Sequence, residues 1–166
     1  MKAKLIIEGK EIEVEISEEE YEKLQPSETG YEGVPNSDVY FYVNSRGYVE
    51  TACEDYYDVD NEYYESANYY SDKTVAENNA RADKLMRQLR RFAVEHRECG
   101  VNFNDINAEK YYIYYDYENN ELNVGFVLRS RNFGAIYFDP EETARAAIDE
   151  FHDELIWYFT EYKDSL

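Results

Sequence analysis

Alternating apolar and polar positions predict a β-hairpin at the start of the chain. In Glu11–Ile16 every second residue is a glutamate and the residues between are isoleucine or valine, which is typical of a half-buried strand. Lys2–Glu8 is predicted to be its partner strand, with the turn at Gly9-Lys10. Ser17 should then cap a short helix, because Glu20 completes a capping box.

A loop and a second pair of strands should follow. Gln25–Ser37 contains two prolines and two glycines, which indicates a loop or linker. Val39–Asn44 and Tyr48–Thr51 are typical of strands that turn at Ser45–Gly47. The next segment, Glu54–Tyr70, has tyrosine doublets that interrupt any alternation, so irregular or partly strand structure is predicted there.

A long amphipathic helix is predicted from Lys73 to Arg97. Ser71 or Asp72 would provide the N-cap, and Gly100 is expected to end the helix. The apolar residues recur with the period of a helix and should face a core. They are Val75, Ala82, Leu85, Leu89, Phe92 and Ala93.

Three strands are predicted after the long helix. Lys110–Tyr117 is rich in tyrosine, Asn119-Asn120 is a turn, and Leu122–Leu128 is the return strand. Gly134–Phe138 is predicted to be the third strand.

The C-terminal segment should be helical. Asp139 would cap a helix that has Pro140 at its first position and Glu142 in a capping box. Helix is expected to resume or continue through Glu154–Tyr162. The buried stripe would consist of Ala144, Ala147, Ile148 and Phe151.

These elements together predict an α+β fold with small antiparallel sheets. We expect an N-terminal ββα hairpin unit over residues 1–25. A main α+β domain should cover residues 38–166, with central strands, the long helix at 72–97 and a C-terminal β-β-β-α arrangement.

The charge of the chain is strongly acidic and unevenly distributed. Its 166 residues carry 17 basic and 37 acidic side chains, which gives a formal net charge of −20. Between Arg81 and Arg97 there are six basic and two acidic residues, a net of +4, so the rest of the chain holds −24. This balance predicts basic partners, and repulsion from bare nucleic acid and anionic membranes.

Cysteine usage and hydropathy predict a soluble protein of the cytoplasm. Cys53 and Cys99 are too few for a disulfide framework and form no CxxC motif, so we expect reduced thiols. The opening MKAKLIIEGK has no apolar stretch long enough for a signal peptide. No run approaches the roughly 20 apolar residues that span a membrane.

Motifs for catalysis and cofactors have little support. His96 and His152 have no serine or cysteine motif nearby and are best interpreted as surface histidines. Asp58, Asp60 and Glu62 copy the first spacing of a calcium loop, but a tyrosine stands where the loop needs glycine. We therefore predict no enzyme, no metal and no cofactor. An enzyme acting on a cationic or sugar substrate stays open as a minor hypothesis.

Glu54–Tyr70 is the strongest functional candidate. It holds six carboxylates and six tyrosines without a lysine or arginine. Disordered acidic tails are poor in aromatic residues and core segments carry little charge, so this composition indicates an interaction surface. Tyrosines add rigid contact area at a low entropic cost. The predicted partner-binding residues are Glu54, Asp55, Asp58, Asp60 and Glu62 as phosphate surrogates, with Tyr56, Tyr57, Tyr63 and Tyr64 as anchors.

Other carboxylates extend this candidate surface. Alternate strand residues lie about 6.6 Å apart, so the glutamates of Glu11–Ile16 would form a regular ladder of charge. Glu18–Glu20 and the acids of Asp139–Glu154 add to it. DNA-binding grooves hold phosphates mainly through lysine and arginine, so a fold with such surfaces could occupy one as a DNA mimic. Acidic solubility or adaptation to high salt is the alternative explanation.

The basic helix supports a second hypothesis. Arg87, Arg90, Arg91 and Arg97 could contact nucleic acid, as in a nucleic-acid-binding or regulatory protein. The surrounding negative charge opposes that approach. Internal pairing with acidic loops is the simpler interpretation.

Several segments carry a resemblance that covers most of the chain. They are SDKTVAENNARADKLMRQLRRF (Ser71–Phe92), YYIYYDY (Tyr111–Tyr117), GAIYFDPEETARAAI (Gly134–Ile148), DELIWYFTEY (Asp153–Tyr162) and the opening KAKLIIEGKEIEVEISEEEYEKL. Together they resemble a family of small acidic proteins encoded by phages and mobile elements of Clostridia-like bacteria. Cys99–Glu109 is the least typical part.

The resemblance implies a phage counter-defence protein in the host bacterial cytoplasm. Some members of that family act as anti-CRISPR inhibitors of type II RNA-guided nucleases. Such an inhibitor would bind the nuclease and its guide RNA and block DNA entry, for instance where arginines recognise the PAM. Steric blocking elsewhere, or an inactive pose of the nuclease, would fit equally well. We expect no direct DNA binding and no membrane contact, while exposed tyrosine-rich strands could pair into a homodimer.

Overall fold

The chain has an α+β fold in which each described sheet is a two-stranded hairpin. The computed structural model describes residues 2–7, 10–15, 17 and 29–162. Within these ranges there are three two-stranded sheets, and helices lie between and after them. The α+β prediction is confirmed. The short helix predicted after Ser17, and the acids Glu18–Glu20, lie outside the described residues.

The N-terminal hairpin has the predicted strands. β1 (Lys2–Ile7) pairs antiparallel with β2 (Lys10–Glu15). The register pairs Lys2 with Glu15 and Lys4 with Glu13. Two of the three glutamates in the predicted ladder therefore have lysines as their register partners.

The second hairpin also lies close to its predicted position. β3 (Val39–Val43) pairs with β4 (Val49–Cys53). The side-chain carbonyl of Asn44 accepts hydrogen bonds from the backbone N–H groups of Arg46 (2.9 Å) and Tyr48 (3.1 Å). This side chain closes the connecting turn, as asparagine commonly does in turns.

The segment after β4 contains a helix, α1 (Asp58–Glu65). The prediction of irregular or partly strand structure is therefore wrong for its centre. Asp58 and Asp60 lie in the first turn, where carboxylates interact favourably with the helix dipole. The Asp60 carboxylate also accepts a hydrogen bond from the backbone N–H of Tyr57 at 3.0 Å, which stabilises the helix start.

The end of this segment is strand-like at one residue. Tyr70 and Phe41 form an isolated antiparallel bridge with backbone hydrogen bonds of 2.8 and 2.9 Å. The backbone N–H of Ser71 donates to the carbonyl of Gly30 at 2.9 Å. The described part of the predicted loop Gln25–Ser37, from residue 29 onwards, contains no helix or strand. These hydrogen bonds attach the backbone on either side of it to the end of the acidic segment.

The chain divides into two compact units. The first, unit 1, comprises Met1–Tyr42 and Thr51–Lys73, and the second, unit 2, comprises Val43–Glu50 and Thr74–Leu166. The boundary expected from the sequence, near residues 25–38, stays a prediction.

The long helix is α2 (Lys73–Glu95), as predicted to within a few residues. It ends before Gly100, whose φ of +87° places that glycine in the following loop rather than at the helix end. Phe92 and Val75 are only half-buried, whereas smaller side chains supply most of the contact with the core. The buried residues of α2 are Ala76, Ala80, Ala82, Leu85, Leu89 and Ala93.

The third hairpin is confirmed, but the strand predicted after it is not. β5 (Lys110–Asp116) pairs antiparallel with β6 (Glu121–Val127). In the predicted strand Gly134–Phe138, only Phe138 bridges β5, through its N–H to the carbonyl of Tyr111 at 2.8 Å. Gly134 has a φ of +76°, so the backbone turns before it can run alongside β5.

The C-terminal helices are α3 (Glu141–Glu150) and α4 (His152–Thr160). The predicted Asp139 cap is wrong, because α3 begins after Pro140 without a side-chain capping bond. The Asp139 carboxylate instead accepts a long hydrogen bond, 3.4 Å, from the backbone N–H of Cys99.

Unit 2 has an aliphatic core. Three helices and the β5–β6 hairpin contribute to it, and Ile148 and Phe151 pack at its edge as half-buried residues. Burial of this apolar surface is the main stabilising term of such a unit. The buried cluster consists of Leu85, Leu89, Ala93, Phe138, Ala144, Ala147 and Leu155.

A buried lysine links β5 to its neighbouring loops. Lys110 is completely inaccessible to solvent. Its ammonium group donates hydrogen bonds to the backbone carbonyls of Asp105, Ala108 (2.7 Å) and Leu128 (2.7 Å). All three donors are used, so the cost of burying the charge is offset by hydrogen bonds.

Candidate functional site

The acidic, tyrosine-rich segment Glu54–Tyr70 belongs to unit 1, and the structure divides its predicted site residues into two groups. One group is exposed to solvent: Asp55, Tyr56, Tyr57, Asp58, Glu62 and Tyr64. The other is buried or half-buried and consists of Glu54, Asp60 and Tyr63.

Glu54 does not belong to the exposed surface. Its side chain is buried and accepts hydrogen bonds from the hydroxyl of Tyr69 at 2.7 Å and from the backbone N–H of Tyr56 at 2.8 Å. The prediction that this carboxylate replaces a phosphate is therefore corrected. It orders the start of the segment instead.

Asp60 has a similar internal role. It is buried and accepts hydrogen bonds from the hydroxyl of Tyr40 (2.8 Å) and from the backbone N–H groups of Tyr57 (3.0 Å) and Asp55 (3.3 Å). The Tyr40 hydroxyl, helped by these N–H groups, holds the pKa of Asp60 below its ordinary value. Asp60 is therefore a capping residue within the fold, not a phosphate surrogate.

A cluster of tyrosine rings supports the buried carboxylates. Tyr40 stacks on Tyr69 with ring centroids 4.1 Å apart, and Tyr42 stacks on Tyr63 at 4.5 Å. Tyr64 meets Tyr69 edge to face at 5.5 Å. The cluster joins β3, α1 and the end of the segment, so it holds α1 in a defined orientation within unit 1.

The two most buried tyrosines of this cluster keep their protons strongly. Burial, followed by the hydrogen bond to Asp60, raises the pKa of Tyr40. Burial likewise raises the pKa of Tyr69, with a smaller contribution from the carboxylate of Glu54. Both hydroxyls therefore act as donors to carboxylates over the physiological pH range.

The outer face of α1 carries the exposed carboxylates. Asp58, Glu62 and Glu65 recur at intervals of four and three residues, opposite the buried Asp60. Side chains at such intervals lie about 5–6 Å apart on one helix face. In the part of the chain that the structure describes, none of the three pairs with a lysine or arginine.

Exposed tyrosines flank this acidic face. Tyr56, Tyr57 and Tyr64 are 65%, 67% and 55% exposed. Tyr56 adopts a φ of +58°, a conformation that is uncommon for a bulky residue. The Glu54 carboxylate holds it there through the backbone N–H, at 2.8 Å. The fold therefore maintains a strained backbone that keeps a large aromatic ring in solvent.

We call the exposed residues Asp55, Tyr56, Tyr57, Asp58, Glu62, Tyr64 and Glu65 the acidic tyrosine surface. It is preorganised by neutral hydrogen-bond donors rather than by cations. The charge of its helix carboxylates is therefore not neutralised by any lysine or arginine that the structure describes.

The arginines of α2 belong to unit 2, and some of them form ion pairs: Arg81 with Glu154 of α4, and two others along their own helix. Arg87 lies 3.9 Å from Asp83, and Arg91 lies 3.9 Å from Glu95. Both contacts are exposed, and pairs of this kind contribute little to stability. Arg90 has no ion pair within the described residues.

The residues that copy the spacing of a calcium loop do not form a loop. Asp58, Asp60 and Glu62 lie on a helix rather than in a loop, and the described ranges contain no group of three metal-ligating side chains. Both cysteines are free and exposed. None of the helices in these ranges is both long enough and apolar enough to cross a bilayer.

Comparison with known proteins finds no family model, no curated protein and no solved structure that matches this chain.

The buried half of the site includes tyrosines that the sequence pattern did not indicate as site residues. Tyr40 and Tyr69 position the segment, yet neither is among the predicted partner-binding residues. A signal was present in β3, where Tyr40 and Tyr42 alternate with other residues and so share one face of the strand.

Proposed function

We propose that the protein inhibits a type II RNA-guided DNA nuclease by occupying its DNA-binding groove with the acidic tyrosine surface. The carboxylates would take the positions of phosphates, and the tyrosines would supply contact area and hydroxyl groups. The blocked step would be entry of target DNA at the PAM-binding site, where the nuclease presents arginines.

One observation carries this proposal: the exposed carboxylates of α1 have no cationic partner in the described residues, although the helix itself is firmly held. Asp58, Glu62 and Glu65 share one helix face, while Asp60 and the tyrosine cluster fix the opposite face. A preorganised anionic surface loses little conformational entropy on binding. The net charge of −20 would also accelerate association with a basic groove.

Neutralising the exposed helix face tests the proposal. The triple variant Asp58→Asn/Glu62→Gln/Glu65→Gln should weaken inhibition of guided DNA cleavage about tenfold or more, because rim and groove charges control encounter. Affinity of the wild type should also fall as salt rises. The assay mixes nuclease, guide, target and the full chain in molar excess.

A charge-matched control separates a local effect from net charge. Glu118→Gln/Asp149→Asn/Glu150→Gln removes the same number of charges from exposed positions of unit 2. This variant should inhibit like the wild type. Equal losses in both variants, or unchanged cleavage with the wild-type protein, would reject the acidic tyrosine surface as the inhibitory site.

A nucleic-acid-binding role for α2 is the second hypothesis, and it is favoured locally by Arg90, which forms no ion pair with any described residue. A gel-shift with random DNA at physiological salt distinguishes the two. Retarded DNA that is released by Arg87→Gln/Arg90→Gln would support this role and count against groove mimicry.

A further inference from the structure

Unit 2 contains an apolar cavity that the acidic tyrosine surface does not use. Its volume is about 200 Å³. The walls come from α2, β5, the segment before α3, and α4, and they include Met86, Leu89, Ile113, Ile136, Phe138 and Leu155. An apolar cavity of about 150 Å³ is large enough for benzene. This cavity can therefore hold one aromatic ring or a short branched chain.

A second, more polar cleft adjoins the apolar cavity. Its volume is about 460 Å³, and it is lined by Arg90, Arg131, Asn132 and Phe133–Ala135. Phe133–Ala135 also lines the apolar cavity, so this segment is a wall common to both. Arg90 lies one helical turn after Met86, which places the two cavities side by side along α2.

The two arginines of the cleft come from different elements, and their charges are not paired with any described carboxylate. Arg90 belongs to α2 and Arg131 to the loop after β6, and both are exposed. Neither forms an ion pair with any residue that the structure describes. The Arg131 guanidinium lies over the ring of Phe103, 5.2 Å from its centroid, which orients that group.

The aromatic residue between the two cavities faces water. Phe133 is completely exposed. Small-molecule sites are concave and mostly apolar, with a few convergent polar groups. An apolar pocket, an exposed ring and two arginines side by side match that description.

We propose that the apolar cavity and the adjoining cleft together bind a small amphipathic anion. Its aromatic ring or branched chain would occupy the apolar cavity, and its carboxylate or phosphate would be held by Arg90 and Arg131. Guanidinium groups are well suited to both heads, because their planar donors can make paired charge-assisted hydrogen bonds. A polyanion is disfavoured, since the chain carries a net charge of −20 and would repel it over a longer range.

Four probes test the proposal on the full-length chain. 3-Phenylpropionate and phenyl phosphate present ring plus anion, 3-phenyl-1-propanol presents the ring alone, and propionate the anion alone. Titrations followed by NMR shifts of the Phe133–Ala135 amides should give Kd values of about 1 mM or tighter for one or both aromatic anions. The alcohol and propionate should bind at least tenfold more weakly. The stronger of the two anions identifies the head group.

Variants locate the site. Arg90→Gln and Arg131→Gln should each weaken binding of the aromatic anion about tenfold, because each removes a charge-assisted contact. Arg91→Gln, an exposed neighbour that lines neither cavity, should leave binding unchanged. Ala135→Leu places a larger side chain in the wall that the cavity and the cleft share. It should abolish binding while preserving the Trp157 emission of the folded protein.

Three results would overturn the proposal. They are absence of binding by both aromatic anions, equal binding of the neutral alcohol, and insensitivity to Arg90→Gln and Arg131→Gln. Displacement of the probes by a single-stranded oligonucleotide at lower concentration would show a nucleic-acid site instead. The proposed inhibitory function does not enter this experiment, so either can fail alone.

Discussion

The two units are stabilised by different chemistry. Among the described residues of unit 1, buried tyrosine rings stack together, and the hydroxyls of Tyr40 and Tyr69 donate to the carboxylates of Asp60 and Glu54. Unit 2 instead buries leucine, alanine and phenylalanine side chains between helices and a hairpin. The stabilisation from hydrogen bonds to buried groups depends on their geometry and on the protonation of the groups, whereas the stabilisation from apolar burial depends mainly on the buried area.

This difference teaches how an acidic surface can be rigid without being neutralised. Salt bridges to α1 would have neutralised the carboxylates on its outer face. Neutral tyrosine hydroxyls hold two internal carboxylates and leave Asp58, Glu62 and Glu65 on the outer face. The expected cost is that unit 1 depends more strongly on pH than unit 2.

The largest effect should come from a cavity in the aliphatic core. Leu85→Ala in unit 2 should lower the free energy of unfolding by about 3 kcal/mol, because Leu85 is almost fully buried. Urea denaturation followed by Trp157 emission measures it, since Trp157 is the single tryptophan and lies in unit 2. Val94→Ala, at an exposed position of the same helix, should change stability by less than about 0.5 kcal/mol. A similar loss in both variants would contradict the aliphatic core described here.

Removing one hydroxyl should destabilise unit 1 somewhat less. Tyr69→Phe keeps the ring but deprives the buried Glu54 of a donor, at a cost of about 1–3 kcal/mol. Amide hydrogen exchange at Phe41 and Tyr70, which bridge within unit 1, reports the change. Tyr64→Phe removes a more exposed hydroxyl and should be nearly neutral. Equal protection in wild type and Tyr69→Phe would show that the bond contributes little.

As pH rises into the alkaline range, unit 1 should lose stability before the aliphatic core of unit 2 does. The folded pKa values of Tyr40 and Tyr69 are raised above the ordinary value near 10, so the folded state keeps protons that the unfolded state releases. Their contribution to stability is complete below pH 10 and declines above it. Absorbance at 295 nm should show exposed tyrosines ionising first and a later, cooperative phase that Tyr40→Phe/Tyr69→Phe reduces. A single titration near pH 10 would exclude protected tyrosines.

The smallest expected effect lies at acid pH. The Tyr40 hydroxyl lowers the folded pKa of Asp60, so the contribution of this carboxylate is present above pH 4 and is lost as pH falls through the folded pKa. Asp60→Asn should flatten the acid limb of the stability profile measured on unit 1. Asp116→Asn is the comparison in unit 2, where an asparagine side chain and two turn N–H groups lower the pKa. An unchanged acid limb in Asp60→Asn would contradict this role.

The strands and long helix could be predicted because their side chains alternate or recur with a clear period. β2 and α2 are the best examples. α1 could not be predicted, because its tyrosine doublet matches neither the period of a strand nor that of a helix. Its start also depends on the contact between Asp60 and Tyr40 of β3. Gly134–Phe138 has strand-like composition, but a single bridge with β5 is all that the turn at Gly134 allows.

The candidate site was only partly predictable for a related reason. Composition identifies the segment, but it cannot say which carboxylates face inwards. Glu54 and Asp60 differ from Asp55 and Asp58 in tertiary partners, not in local pattern. The sequence also does not show that Arg90 and Arg131 line one cleft beside the apolar cavity, because these arginines are far apart in the chain.

Lys110 offers an intrinsic reporter of the opening of unit 2. Its amine is enclosed and saturated by carbonyl groups, so amine-reactive reagents and trypsin should act there only on molecules in which the end of β5 has opened. Mass spectrometry of acylated peptides would then follow that opening in a complex mixture. Because the reporter is native, a bound nuclease or small anion could be tested for protection of unit 2 without any engineered label.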